Sequence, residues 1–131
     1  YIGDFKDGIQ HGEGVFTYVN GDKYEGGFRD GYYSGYGTST FSDGEIYVGE
    51  FKNDLPNGQG TFTYLNGDKY VGEFVNGIRS GKGALTFVNG DEYVGEFSNN
   101  MFNGFGILTL KNGIKKEGLF ENHKFSGIEK D

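Results

Sequence analysis

The feature of this chain that most restricts its fold is an internal repeat with a period of 23 residues. Tyrosine recurs at positions 1, 24, 47, 70 and 93 without a single insertion. Glycine follows two positions after each tyrosine and phenylalanine four positions after it, as in Tyr47, Gly49 and Phe51. Self-similarity at a fixed period of this length is typical of repeat architectures, in which each unit packs on its neighbours.

The second half of each unit is as regular as the first. It contains a Gly-x-Gly motif, such as Gly58 and Gly60, and an apolar-Thr-aromatic segment, such as Phe62-Thr63-Tyr64. It ends in Asn-Gly or Asp-Gly, which are turn dipeptides. Apolar residues alternate with a period of two, and no stretch keeps helical periodicity. The sequence therefore predicts an all-β chain: an elongated, single-layer antiparallel β-meander of about 11 short strands without helices.

The order Tyr-x-Gly-x-Phe, Gly-x-Gly and Asn-Gly resembles the MORN repeat family. The resemblance covers the whole chain as one domain of residues 1–131, with repeats starting near positions 1, 24, 47, 70 and 93. A degenerate sixth start falls at Lys116, where tyrosine is expected. The resemblance implies paired antiparallel strands in an elongated sheet. It implies no particular activity, because MORN modules occur in scaffolds, in membrane-junction proteins and as accessory domains of kinases and methyltransferases.

The positions of the aromatic residues indicate the register of the first hairpin. A two-residue turn at the Asn-Gly dipeptide would put Tyr18 and Tyr24 on opposite faces of the sheet. A three-residue loop over residues 19–21, with Gly21 in the left-handed conformation, instead pairs Phe16 with Tyr24 and keeps the aromatic residues on one face. We therefore expect the three-residue loop.

The other connection of each unit is expected to be longer, over residues 29–34 in one unit, and to place Phe28 opposite Gly35. Three rows then cross one face: tyrosines alternating with Phe or Leu, a row of glycines, and phenylalanines alternating with Gly. Same-face rows lie about 7 Å apart along a strand, so two aromatic walls would stand about 13–14 Å apart over a glycine floor. An α-helix, about 10–12 Å across, would fit such a trough.

The expected partner-binding residues are the members of these two walls and two aromatic residues on the opposite face. The wall residues are Tyr24, Tyr47, Tyr70, Tyr93, Phe51, Phe74, Phe97, Phe62 and Leu85. Tyr36 and Phe105 replace polar residues on a face that we otherwise expect to be solvated, and so are candidates for binding. Two alternatives stay open: the rings lean over the glycine floor and bury one another, or the chain associates with itself.

We expect the chain to be a non-enzymatic scaffold that binds an amphipathic helix or an extended segment of a partner protein in this trough. Repetition argues against catalysis, because a catalytic site needs unique residues in one place. Attachment to a membrane or phospholipid, and a role as the targeting module of a larger enzyme, are the alternative functions. Self-association into a homodimer is a further alternative.

Composition and motifs argue against other ligands. The net charge of −7 disfavours nucleic acid as the main partner. The Gly-x-Gly motifs lack the following helix that a phosphate loop needs, and the turns lack calcium-loop spacing. The chain has no Cys, and its two histidines, His11 and His123, lie in non-equivalent loops, so we expect no metal or cofactor. Without an 18-residue apolar run or a signal-peptide pattern, we expect a cytoplasmic location.

Overall fold

The computed structural model describes residues 1–127 as one antiparallel sheet whose 12 strands are hydrogen-bonded in chain order. No helix occurs in this part of the chain. The expected all-β meander is confirmed, with one strand beyond the expected 11 because the chain turns back after Glu121. The strands are β1 Ile2–Lys6, β2 Ile9–Thr17, β3 Lys23–Arg29, β4 Tyr32–Thr40, β5 Ile46–Lys52, β6 Leu55–Thr63, β7 Lys69–Val75, β8 Ile78–Thr86, β9 Glu92–Ser98, β10 Met101–Thr109, β11 Lys115–Glu121 and β12 Lys124–Gly127.

The loop between β2 and β3 has the expected three residues. The Tyr18 amide donates to the Asp22 carbonyl over 2.8 Å and so closes the loop over residues 19–21. Gly21 has a φ of 99°, in the left-handed region that a residue without Cβ adopts readily. Phe16 consequently pairs with Tyr24, which confirms the register predicted from the positions of the aromatic residues.

The connection between β3 and β4 is shorter than expected. The longer loop predicted over residues 29–34 is wrong, because Asp30 and Gly31 form a two-residue turn that pairs Arg29 with Tyr32. Both turn residues have positive φ, 51° and 85°, as the type I′ hairpin turn requires. That turn is favoured in tight hairpins because its twist matches the twist of the strands.

A β-bulge follows each of these short turns and returns the chain to the expected register. Because of the short turn, Phe28 lies opposite Tyr33 rather than opposite Gly35, so this part of the predicted register is also wrong. The bulge recurs between β5 and β6, where the Glu50 carboxylate accepts the Gln59 amide at 2.6 Å. Between the turn and the bulge, one variable residue of each unit pairs with the phenylalanine of the aromatic face; these residues are Gln10, Tyr33, Pro56, Arg79 and Phe102.

The core is a continuous ladder of aromatic rings on one face of the sheet. The Tyr47 ring meets Phe51 of its own strand at 4.9 Å and Phe74 of β7 at 5.2 Å, both edge to face. The same pair of contacts occurs at Tyr24, Tyr70 and Tyr93. Each such pair contributes about 0.5–1.5 kcal/mol beyond the burial of area. The ladder therefore forms the hydrophobic core of this single-layer sheet, on which no helix of the described residues packs.

Candidate functional site

The glycine row of the sheet is covered by the chain's own tyrosine rings. The Tyr47 hydroxyl donates to the Glu50 carbonyl at 2.8 Å, which holds the ring along its own strand and over Gly60. The equivalent bond of Tyr24 ends on the Gly27 carbonyl at 2.7 Å. The bare glycine floor expected from the sequence is therefore wrong, because the rings occupy that space. The alternative in which the rings bury one another describes this part of the sheet.

Most of the expected wall residues consequently belong to the core. The four tyrosines are 0–1% exposed, and the three phenylalanines at 51, 74 and 97 are 3–6% exposed. Leu85 is also buried, whereas Phe62 is only partly buried. The buried members have no surface to offer a partner in this conformation. Tyr36 and Phe105 are 68% and 45% exposed, on the opposite face.

That opposite face is less polar than the sequence led us to expect. Val71 and Val94 are about half exposed on it and both pair with Ala84. Ile107 pairs with Val94, and Phe105 lies two positions before Ile107 on the same strand. The C-terminal part of this face thus carries a short apolar strip rather than a fully solvated surface.

A groove runs over the aromatic core between two walls of side chains. The first wall is formed by the aromatic residues that follow β2, β4, β6 and β8: Tyr18, Phe41, Tyr64 and Phe87. The second wall is formed by the residues that pair with the phenylalanines of β3, β5, β7 and β9 beside the bulges: Tyr33, Pro56, Arg79 and Phe102. Phe62 and Leu85 lie between the walls. These residues define what we call the groove.

Residues of the two walls meet across the groove as pairs of differing chemistry. The hydroxyl groups of Tyr18 and Tyr33 are hydrogen-bonded to each other. The Arg79 guanidinium lies over the Tyr64 ring, 5.7 Å from its centroid. In the last pair, the Phe87 and Phe102 rings meet edge to face at 6.4 Å. The chemistry of the groove therefore changes from repeat to repeat while the core beneath it stays constant.

Two cavities open between these pairs. The larger, of about 740 Å³, is lined by Glu45, Tyr64, Leu65, Asn66, Asp68, Arg79, Leu85, Phe87, Phe102 and His123. The smaller, of about 290 Å³, is lined by aromatic rings and Pro56, together with the charged residues Asp22, Lys23 and Asp54. The larger volume falls in the range of about 300–1,000 Å³ typical of ligand pockets.

A row of carboxylates follows the first wall, one in each of four repeats. The Asp22 carboxylate accepts the Ser42 amide at 2.7 Å, and the Asp68 carboxylate accepts the Val88 amide at 2.9 Å. Glu45 and Asp91 make the equivalent bonds. The hydrogen bonds from Ser42 and Asn20 lower the pKa of Asp22, which keeps it ionised. These bonds join successive repeats and leave the rim of the groove negatively charged.

Arg79 is a cation held mainly by aromatic rings. Its guanidinium carbon lies 5.5–5.7 Å from the ring centroids of Tyr64, Tyr70 and Phe97. One terminal nitrogen donates to the Asn100 carbonyl at 2.6 Å. Within residues 1–127, no carboxylate lies within 4.0 Å of the guanidinium. The aromatic core of one repeat thus accommodates a guanidinium without a salt bridge.

Two structural features do not occur in the described part of the chain. Between Tyr1 and Gly127, no cluster of three or more histidine and carboxylate side chains is arranged to bind a metal ion. Over the same residues, the chain forms no helix of the length and apolarity needed to span a bilayer.

An open sheet of repeated hairpins, with an aromatic core on one face and a side-chain groove above it, defines a β-repeat protein. The MORN repeat family matches residues 1–23, 24–46, 47–69, 70–92 and 93–115, and the chain belongs to that family. The resemblance seen in the sequence is thereby confirmed. MORN repeats are generally non-enzymatic repeat modules.

The chain is also similar to a solved structure, the TCP domain of SAS-4 (dCPAP) of Drosophila melanogaster in complex with a proline-rich motif of Ana2 (dSTIL). The two chains are 20% identical, and the match covers 81% of this chain and 71% of that one, with a TM-score of 0.41. No curated protein matches the chain.

Proposed function

We propose that this chain is a non-enzymatic protein-interaction module that binds a helical or extended segment of a partner protein in the groove. The observation that carries the proposal is a line of partly exposed aromatic side chains above a fully packed core. Tyr18 and Phe41 are 44% and 37% exposed, and Phe62, Tyr64 and Phe87 are partly buried beside them. Tyrosine and phenylalanine are enriched at the centres of protein interfaces.

The core beneath the groove favours binding because it holds the contact residues in place. The Phe62 ring packs against Tyr64 at 4.6 Å and against Tyr47 at 6.5 Å, and Tyr47 is itself buried. Side chains that are already ordered lose little conformational entropy when a partner binds. The tyrosines and phenylalanines of the ladder therefore support the binding surface without forming part of it.

The charge of the groove bears on the alternative of membrane attachment. Asp22, Glu45 and Asp68 all line its two cavities, and the chain has a net charge of −7. A surface of this sign is repelled by the anionic lipids that recruit basic segments to membranes. The groove is therefore better suited to a protein segment than to an acidic bilayer.

The proposal is tested by photo-crosslinking and affinity capture with variants of the two faces. We expect Phe87→Ser, in the first wall, to reduce capture of the crosslinked partner at least about tenfold, as loss of a central aromatic contact does at other interfaces. Phe105→Ser is the matched control, because it makes the same substitution at an exposed ring of the opposite face. Both variants are first checked for native circular dichroism and cooperative unfolding.

Binding in the groove and binding on the opposite face predict opposite results for the two variants. Loss of the partner in Phe105→Ser and its retention in folded Phe87→Ser would place binding on the opposite face and refute the groove. Retention of the partner in both folded variants would refute the proposal as well. The buried tyrosines are unsuitable for this test, because replacing them removes the core.

A further inference from the structure

Because the groove is built from repeats, its smaller cavity can be compared with the equivalent position one repeat later, which the Arg79 side chain occupies. Arg79 projects over the core of the fourth repeat, where its guanidinium lies over Tyr64, Tyr70 and Phe97. Pro56 stands 23 residues earlier, at the same position of the third repeat. Its register is also the same, since Pro56 lies opposite Phe51 as Arg79 lies opposite Phe74.

The aromatic surroundings of Arg79 are preserved around Pro56, although the cation is not. The equivalents of Tyr64, Tyr70 and Phe97 one repeat earlier are Phe41, Tyr47 and Phe74. Proline has a short ring without a donor group, so it cannot extend across the groove as arginine does. The cavity of about 290 Å³ opens at this place, lined by the rings of Tyr18, Tyr33, Phe41 and Phe62.

Two carboxylates also line this smaller cavity. Asp22 belongs to the rim, and Asp54 lies in the turn before β6, where its Oδ1 accepts the Tyr33 amide at 2.8 Å. One repeat later, around Arg79, the equivalent of Asp54 is Gly77, which has no carboxylate. The smaller cavity thus combines aromatic rings with two carboxylates, and Lys23, which also lines it, has its ammonium group 3.7 Å from the Glu25 carboxylate. The larger cavity is also lined by two carboxylates, but it already contains the guanidinium of Arg79.

We infer that the smaller cavity is a cation cage that receives an arginine or lysine side chain of the partner segment; this inference rests on the proposed function and deepens it. Aromatic faces attract a cation through their quadrupole, and the carboxylates add a charge–charge contact. The aliphatic stem of the incoming side chain packs against Pro56 and Phe62, as the stems of long cationic side chains commonly pack on apolar surface. The partner segment is accordingly basic at the residue that faces the third repeat.

The inference is tested directly by NMR titration of the whole chain with a small probe, N-acetyl-arginine methylamide. Its neutral counterpart, N-acetyl-citrulline methylamide, has nearly the same shape and no charge. We expect the arginine probe to shift the resonances of Tyr33, Phe41 and Phe62 and to bind about tenfold more tightly than the citrulline probe. Equal shifts with both probes, or no shift of these rings, would overturn the inference.

Two variants with counterparts elsewhere in the chain sharpen the test. Pro56→Arg places the chain's own guanidinium in the cage, as Arg79 does one repeat later, and is expected to abolish the shifts caused by the arginine probe. Asp54→Asn removes one charge but keeps the acceptor for the Tyr33 amide, as Asn100 does for the Arg79 amide at 2.8 Å, and is expected to weaken the probe several-fold. Unchanged arginine binding in folded Pro56→Arg would overturn the inference.

Asp43→Asn is the matched control for the loss of charge. Asp43 lies at a hairpin tip outside the lining of the cavity, and asparagine occupies the same position in the other hairpins, at Asn20, Asn66, Asn89 and Asn112. We expect this variant to bind the arginine probe as the unaltered chain does. An equal loss of affinity for the arginine probe in Asp43→Asn and Asp54→Asn would show that only the net charge of the chain matters. That result would contradict the cage.

The same variants separate this inference from the proposed function. If Phe87→Ser loses the partner while Pro56→Arg retains it, the groove binds a partner and the cage is wrong. If the arginine probe binds the cage but no wall variant affects partner capture, the proposed function is wrong and the cage remains as a cation site.

Discussion

The ring of Tyr47 lies against Gly60 so closely that a Cβ atom at position 60 would stand 2.5 Å from the Tyr47 Cε1. The same relationship joins Tyr70 to Gly83, also at 2.5 Å. Real Cβ atoms do not approach other heavy atoms to this distance, so each tyrosine of the ladder requires a glycine on the next strand. The glycine row and the tyrosine row of the repeat therefore form one packing arrangement. A larger residue in place of the glycine would displace the tyrosine ring.

Replacing Gly60 with alanine is accordingly expected to destabilise the chain by about 1–3 kcal/mol or more, because the added methyl group overpacks the buried ring. Urea denaturation followed by circular dichroism measures the change. The comparison that isolates the cause is a double-mutant cycle with Tyr47→Ala. An effect of Gly60→Ala that is the same in both backgrounds would show that the ring is not what excludes the methyl group.

A second prediction concerns alkaline pH. Burial raises the pKa of Tyr70 and of Tyr93 to about 12, whereas an unfolded tyrosine titrates near pH ~10. Above pH ~10 the unfolded chain loses these protons first, so it is favoured by rising pH. The free energy of unfolding is therefore expected to be unaffected by these groups below pH ~10 and to fall as the pH rises from ~10 towards the folded pKa values.

The measurement is a series of urea denaturation curves between pH ~9 and ~11.5. Tyr93→Phe removes one titrating group from the ladder and should flatten the dependence on pH. Tyr36→Phe, at a ring that is 68% exposed, is the matched control. Equal effects of the two substitutions would contradict the prediction.

The register of the hairpin between β2 and β3 could be predicted from the sequence, because only one pairing of the two strands puts all the aromatic side chains on the same face. Pairing Phe16 with Tyr24 puts every large apolar ring on one face, and the structure has this pairing. At the other connection the pairing of Tyr24 with Ser39 was also predicted correctly, but the loop length and the partner of Phe28 were not, because two local irregularities compensate there. A two-residue turn at Asp30 and Gly31 shifts the partner of Phe28 by two positions, and the bulge beside Phe28 shifts the register back.

The second wall of the groove was missed for the same reason. Arg79 has the same parity as Gly83 and Leu85, so it faces the aromatic side of the sheet, but its position lies within the longer loop predicted from the sequence and was therefore not counted. The first wall did leave a signal, since the residue after the Thr is aromatic in four of the five units, at Tyr18, Phe41, Tyr64 and Phe87. The course of the tyrosine rings over the glycines could not be predicted, because it depends on side-chain rotamers and on hydrogen bonds to carbonyl groups such as that of Glu50.

A third prediction concerns mildly acidic pH and the C-terminal hairpin. The Nδ1 atom of His123 accepts the Phe102 amide at 3.2 Å, and its ring meets the Phe102 ring edge to face at 4.6 Å. Desolvation and the Arg79 guanidinium lower the pKa of His123 below its ordinary value. As the pH falls below ~6.5, the unfolded chain binds the proton first, so this contribution to stability is present above ~6.5 and is lost below it.

Hydrogen exchange of the Phe102 amide between pH ~7.5 and ~5.5, corrected for the intrinsic rate, measures this loss. His123→Asn is the control, because Asn100 accepts the Arg79 amide at the equivalent place and does not titrate. Protection of Phe102 that falls with pH equally in the His123→Asn variant would show that another group is responsible.

The last prediction concerns the pairs of residues that join successive repeats beside the groove. The Asn100 side chain accepts the Arg79 amide at 2.8 Å, and the Asn100 amide donates to the Arg79 carbonyl at 3.1 Å. At the equivalent pair, proline has no amide to donate and its partner is glycine, so Gly77 donates to the Pro56 carbonyl at 2.8 Å and no second bond forms. The chain thus has two kinds of pair. In one, two hydrogen bonds join the residues, and in the other, a single backbone hydrogen bond joins them.

Converting one kind of pair into the other should therefore require both substitutions. Arg79→Pro alone leaves the Asn100 side chain without its donor and also removes the contacts of the guanidinium with Tyr64, Tyr70 and Phe97. Asn100→Gly alone leaves the Arg79 amide without an acceptor, which costs about 1–3 kcal/mol where that amide is shielded from water. In the double variant neither group lacks a partner, so we expect a favourable coupling of about 0.5–1.5 kcal/mol in urea denaturation. Strict additivity of the two substitutions would show that the Pro56 and Gly77 pair owes nothing to this exchange of hydrogen bonds.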